Sequence, residues 1–170
     1  MDKLTKEQRH RCMAAIKSKN TKPELIVRRF LFKRGFRYRL NHPRLPGHPD
    51  IVLRKYKTVV FVNGCFWHGH DCRFASTPKS NTMFWTNKIN RNKSRDQQTI
   101  DKLTQMGWNT ITVWECQLKS DTRDITLNSL ELTLNKIFLI NHKKSYNLEQ
   151  NDLAVAAEND IDYNYNNNNN

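Results

Sequence analysis

The spacing of apolar residues changes several times along this chain, and each change marks an element. Between Thr5 and Lys19 only Met13 and Ile16 lie three apart among Lys and Arg, which reads as a basic helix or an arm within residues 1–20. Thr21-Lys22-Pro23-Glu24 then has the Thr-x-x-Glu form of a capping box, with proline in the first turn where its missing N–H costs little. Leu25, Ile26, Phe30 and Leu31 continue it as a helical stripe that ends at Gly35. Alternation over Phe36–Leu40 predicts a short strand, and the three prolines and one glycine of 41–49 exclude helix or central strand there. Ile51–Arg54 and Thr58–Val62 are predicted strands. The second holds four consecutive apolar residues, as a strand buried on both faces requires.

Residues 63–81 read as an irregular loop, and the helical period returns over 82–106. A break is expected around Asn87–Asn92, and Gly107 serves as the C-terminal cap. Trp108–Trp114 alternates as a strand, and a last amphipathic helix over about 122–140 carries Leu127, Leu130, Leu134 and Phe138. The order is that of a mixed α/β fold: one domain over 1–141, followed by a low-complexity, disordered tail over 142–170.

Charge alters this picture more than composition does. The first hundred residues carry 23 basic and 6 acidic side chains, the remainder 6 and 10, so a body of +17 precedes a rear of −4. A body of that charge points to a polyanion, because clustered Lys and Arg gain by releasing phosphate counterions. The longest apolar run, Val59–Val62, is far short of a membrane span, and the charged N-terminus shows no secretory signal. The expected compartment is therefore cytoplasmic and reducing. Four cysteines there read as metal ligands, core thiols or catalytic groups rather than disulfides.

Two groups of residues carry chemistry. Cys65, His70 and Cys72 fall within eight residues, and Cys116 ends the last strand. Two or three thiolates and imidazoles in one tight loop, closed by a fourth ligand from elsewhere, suit a tetrahedral structural zinc. Asp50, one of six acids in a basic body, stands at the end of a proline-glycine turn. It reads equally as a ligand for a divalent cation at a scissile phosphate and as a turn-capping aspartate. If its strand pairs with the next, Asp50 and residues 61–63 meet. Cys12 has no expected role.

The runs Leu45-Pro46-Gly47-His48-Pro49-Asp50, Val60-Phe61-Val62-Asn63-Gly64-Cys65-Phe66-Trp67-His68 and Val113-Trp114-Glu115-Cys116 resemble the very-short-patch-repair (Vsr) mismatch endonucleases. The resemblance extends over about residues 5–118 and includes Thr21–Glu24, Phe84-Trp85 and Arg95-Asp96. It implies a restriction-endonuclease-like α/β core, with a mixed central sheet flanked by helices and a structural zinc on Cys65, His70, Cys72 and Cys116. The implied activity is a Mg²⁺-dependent nick in one strand beside the thymine of a T:G mismatch, the product of 5-methylcytosine deamination. By position, Asp50 and the carbonyl of Val62 would hold Mg²⁺, His68 would be the general base, Asp96 would orient it, and Glu24 would reach the metal through water. Phe66, Trp67 and Trp85 would wedge into the base stack, with Met13 as a further DNA contact. The implied partners are mismatched double-stranded DNA and, functionally, a cytosine-5 DNA methyltransferase. The asymmetry of a T:G pair suits a monomer.

This chain departs from the family pattern at Asn63, where the best-known pattern has a second histidine. Asparagine can donate a hydrogen bond to phosphate but cannot take up a proton. Either His68 carries the proton transfer alone or Asn63 marks a subgroup with altered activity. Two other readings stand beside this one: a zinc-stabilised DNA-binding module without catalysis, and a restriction-type nuclease of the same fold.

Overall fold

In a computed structural model, residues 5–143 are described apart from 18, 77 and 79. Helix α1 (Lys6–Ala14) starts on a capping box in which the Thr5 hydroxyl accepts from the Gln8 amide and the Gln8 side chain accepts from the Thr5 amide. It stops well before Lys19. With no broad apolar face to bury, nothing carries the helix further, and Met13 is only half-buried. Helix α2 (Lys22–Lys33) opens on the expected Thr21–Glu24 box. Its buried face is Glu24, Val27, Arg28 and Leu31, whereas Leu25 is exposed and Ile26 and Phe30 are half-buried. The stripe expected from hydrophobicity is therefore rotated. A Glu24–Arg28 ion pair one helical turn apart lets two charges occupy the inner face.

Strand β1 (Ile51–Leu53) runs antiparallel to β2 (Thr58–Asn63), and β2 runs parallel to β3 (Asn109–Trp114). The result is a three-stranded mixed sheet in the order β1-β2-β3. Arg54, expected to end β1, instead starts a 3-10 turn over Arg54–Tyr56. Ile51, Val52, Leu53, Thr58, Val59 and Val60 are all buried, which explains the unbroken apolar pattern: both faces of the sheet are covered. On one face Val52 and Val59 pack with Leu45 and Leu103, flanked by Phe61 and Trp108. Each fully buried aliphatic side chain contributes about 1.5–3 kcal/mol.

The strand expected over Phe36–Leu40 shrinks to a single bridge, Arg39 to Val52. Asn41, at φ 44°, and the prolines beyond it turn the chain away before a ladder can grow. No break occurs at Asn87–Asn92, and α3 (Thr82–Gln105) is continuous. The sequence there lacks a core stripe because this half of the helix faces a loop. A Cβ on Gly69 would lie 2.6 Å from Ile89 and 2.3 Å from Lys93, and Asn92 Nδ2 donates to the Trp67 carbonyl at 2.8 Å.

The chain divides into two compact units, one to Glu131 and one from Leu132. In the first, Leu127 and Leu130 are buried, and Glu131 pairs with Arg34 at 3.3 Å. In the second, Leu134 is buried and the Phe138 ring lies against His142. Helix α4 spans 123–143, somewhat longer than expected, and the rest of the expected tail (144–170) lies outside the described residues. No described helix is long and apolar enough to cross a membrane.

Candidate active site

Asp50 precedes β1, and Asn63 and Trp114 end β2 and β3, so three chain segments deliver side chains to one edge of the sheet. The pairing Ile51↔Val60 sets Asp50 opposite Phe61. Asp50 Oδ2 accepts a hydrogen bond from the Val62 amide at 2.8 Å, so the expected meeting of Asp50 with residues 61–63 occurs. Burial raises the Asp50 carboxyl above the ordinary carboxylate range, and the nearby charge of Glu24 adds to this. The Val62 amide, Arg28 and His68 oppose the rise.

Across from it, His68 Nδ1 meets Asp96 Oδ2 at 2.5 Å. The carboxylate holds the ring with its proton on Nδ1, which leaves Nε2 as the basic nitrogen. Arg95 lies 3.7 Å from the other Asp96 oxygen. Asp50, Val62, Asn63, His68, Asp96 and Glu24 all line one cavity of about 1000 Å³, which Trp67, Glu115 and Lys19 also border. A recessed carboxylate in this cavity is the kind of oxygen ligand a hard divalent cation takes.

Three aromatic rings stand at this site. Phe66 lies 5.0 Å from Trp67 and 5.2 Å from Trp85, and the two tryptophans are 6.0 Å apart, all edge-on. Lys88 Nζ sits over Trp67, Trp85 and Phe84 at 5.3–5.7 Å. Met13 does not border the cavity, although Ile16 and Lys17 do.

The Cys/His group is assembled by strand register. Asn63 pairs with Trp114 across the parallel β2–β3 ladder, so Cys65 and Cys116 leave the sheet side by side. The Cys116 amide lies 3.4 Å from Cys65 Sγ. His70 and Cys72 complete a cluster whose ligand atoms all fall within 4.8 Å of one another. A tetrahedral zinc–thiolate site has edges of about 3.8 Å, so the four donors fit one metal ion. Burial pushes the Cys65 thiol up to about 12. At Cys72 burial also acts upward, but hydrogen bonds from His70, the Phe74 amide and the neighbouring thiols outweigh it and bring that thiol to about 7. The His70 ring stacks on Trp114 at 4.2 Å.

Sequence reasoning missed Lys88, Asn92, Glu115 and the Asn20–Arg28 contact. Lys88 had a signal, lying four residues after Phe84 and three after Trp85 on one helix face. Asn92 and Glu115 depend on contacts between distant segments, and the Asn20–Arg28 contact on the left-handed turn at Asn20 that leads into α2.

A sheet edge that gathers a recessed carboxylate and a histidine–aspartate pair within a basic body describes a nuclease acting on DNA, and known proteins agree. A family model described as DNA mismatch endonuclease Vsr matches residues 1–74. The type II nicking enzyme V.NmeAIP of Neisseria meningitidis is 54% identical over 119 residues, 70% of this chain and 85% of the relative. The type II nicking enzyme V.XorIIP of Xanthomonas oryzae is 43% identical over 136 residues, 80% and 96%. The DNA mismatch endonuclease Vsr of Escherichia coli is 39% identical over 114 residues, 67% and 73%. This chain belongs to the Vsr family of DNA endonucleases.

Proposed function

We propose that this endonuclease nicks one DNA strand beside the thymine of a T:G mismatch left by 5-methylcytosine deamination, as one step of very-short-patch repair. The observation that carries this reading is the presence of Trp67 in the wall of the cavity that holds Asp50, His68 and Asp96, with Phe66 and Trp85 packed against it. Mismatched steps unstack at a cost of only a few kcal/mol, so aromatic wedges next to the cutting groups select them over paired DNA. A reader of paired sequence needs polar tips on base edges instead. The mismatch specificity also accords with the printed name of the Escherichia coli relative.

Mg²⁺ held by Asp50 and the Val62 carbonyl would supply charge stabilisation at the scissile phosphate. His68 Nε2 takes a proton from the attacking water as its oxygen bonds to phosphorus and the bond to the leaving oxygen breaks. Asp96 keeps the ring in the required tautomer and stabilises the imidazolium that forms. Asn63 donates a hydrogen bond to a phosphate oxygen and leaves proton transfer to His68. Zinc on Cys65, His70, Cys72 and Cys116 would hold the 64–72 loop, and with it both the wedge residues and His68, on a restriction-endonuclease-like core. A single copy suits the asymmetric T:G pair, in cells that also carry a cytosine-5 DNA methyltransferase.

The test is a nicking assay on one duplex with a T:G or a C:G pair in a cytosine-methylase site, run with Mg²⁺ or EDTA. A Mg²⁺-dependent nick beside the thymine of the mismatched duplex alone is the expected outcome. Cutting of both duplexes gives a nuclease of another specificity, and binding without cutting gives a DNA-binding module.

A further inference from the structure

Helix α2 begins with more hydrogen bonding than a cap requires. Glu24 Oε1 accepts from the Thr21 hydroxyl at 2.8 Å and the Thr21 amide at 3.3 Å, and Oε2 accepts from the Asn20 amide at 3.1 Å and from Arg28 Nη2. A carboxylate has about four lone-pair sites, and here four donors occupy them. Arg28 is buried, and its second nitrogen donates to Asn20 Oδ1 at 2.7 Å. Asn20 thus has both its amide and its side chain fastened, while its backbone stands at φ 55°, the left-handed region that asparagine tolerates better than most residues. The cost of burying the Arg28 charge is offset by Glu24 and Asn20, and Arg28 Nε has no hydrogen-bond partner among the described residues.

The chain on the far side of this knot is not idle. Ile16, Lys17, Lys19 and Asn20 form part of the wall of the catalytic cavity, although they are far in sequence from Asp50, His68 and Asp96. We propose that Asn20, Glu24 and Arg28 form a latch that fixes the direction in which the basic arm leaves α2, and so holds Lys17 and Lys19 against the DNA backbone in the cavity. The latch makes Asn20 and Arg28 positioning residues. It gives Glu24 the same positioning role, while that carboxylate also lines the cavity near Asp50. This inference rests on the cavity being where DNA is cut, but not on which mismatch is cut.

The test uses the full chain and three proteins: wild type, Asn20→Gly and Asn20→Asp. Glycine adopts the left-handed backbone freely but offers Arg28 no acceptor, whereas aspartate keeps both the conformation and the acceptor. Limited trypsin digestion without DNA is expected to cleave after Lys17 and Lys19 several-fold faster in Asn20→Gly, and at the wild-type rate in Asn20→Asp. In nicking assays Asn20→Gly is expected to raise KM about fivefold with kcat within twofold, as lost ground- and transition-state binding does. Equal cleavage of all three proteins overturns the latch. Faster cleavage with unchanged KM overturns the link to DNA, and a fall in kcat at constant KM moves Asn20 into the reaction centre. Failure of the T:G reading leaves these outcomes readable, because cleavage is followed without DNA and KM on whichever duplex is cut.

Discussion

At the scale of single residues, Asp50 faces opposing demands. Burial favours its neutral form, yet the metal-binding role proposed for it requires the ionised form. A carboxyl whose pKa is higher in the folded chain than in the unfolded one contributes stability below its ordinary pKa, and this is lost as pH rises through the raised value. In EDTA at neutral pH, Asp50→Asn is therefore expected to melt above the wild type, with the gap closing on acidification; equal melting at neutral pH would remove the buried charge from the argument. The same substitution is expected to cut nicking on the order of 10³-fold, the rate equivalent of a few kcal/mol of metal stabilisation, with mismatch binding in a filter or gel-shift assay largely kept. For the wild type, activity is expected to fall on acidification at a pH above the ordinary carboxylate range, because protons then compete with the cation for Asp50.

At the scale of elements, two close fits set the site. Gly47, at φ 71°, brings the 41–49 loop so near α3 that a Cβ would lie 2.3 Å from Thr99 Cγ2. Gly47→Ala is expected to lose about 2–4 kcal/mol, combining left-handed strain with overpacking. Thr99→Ala should restore only the packing part, a split that denaturant melts of the two single variants and the double will show. The second fit is the Cys/His cluster. Cys116→Ser is expected to lose bound zinc by elemental analysis and to lower the melting temperature; unchanged zinc content would take Cys116 out of the ligand set. The paired strands β2 and β3 explain why this one residue reaches a loop about fifty positions away: Asn63↔Trp114 is the last rung beneath both cysteines.

At the scale of the whole molecule, the +17 charge of the first hundred residues sets the behaviour toward DNA. Each phosphate neutralised releases counterions, so KM for the duplex is expected to rise as a steep power of salt concentration while kcat changes little. A KM flat between low and physiological salt would mean that the basic surface is not the DNA face. The same charge distribution fits an open cavity whose walls come from the arm, the sheet edge and α3 together.

The sequence alone named the candidate chemistry-bearing residues and most of the elements that carry them. The capping box at Thr21, the strand predicted over Thr58–Val62, the Cys65–Cys72 spacing and the motif around Asp50 are local signals, because capping, an unbroken apolar run and ligand spacing act over a few residues. Tertiary structure decided the rest. The Phe36–Leu40 alternation became one bridge because the following turn left no partner, and Asn87–Asn92 stayed helical because it packs on a loop rather than a core. The inner face of α2 took up Glu24 and Arg28 because each neutralises the other, a pairing that hydrophobicity does not register. Nor does any local pattern state that His68 meets Asp96, since that contact exists only once segments 28 positions apart have been brought together.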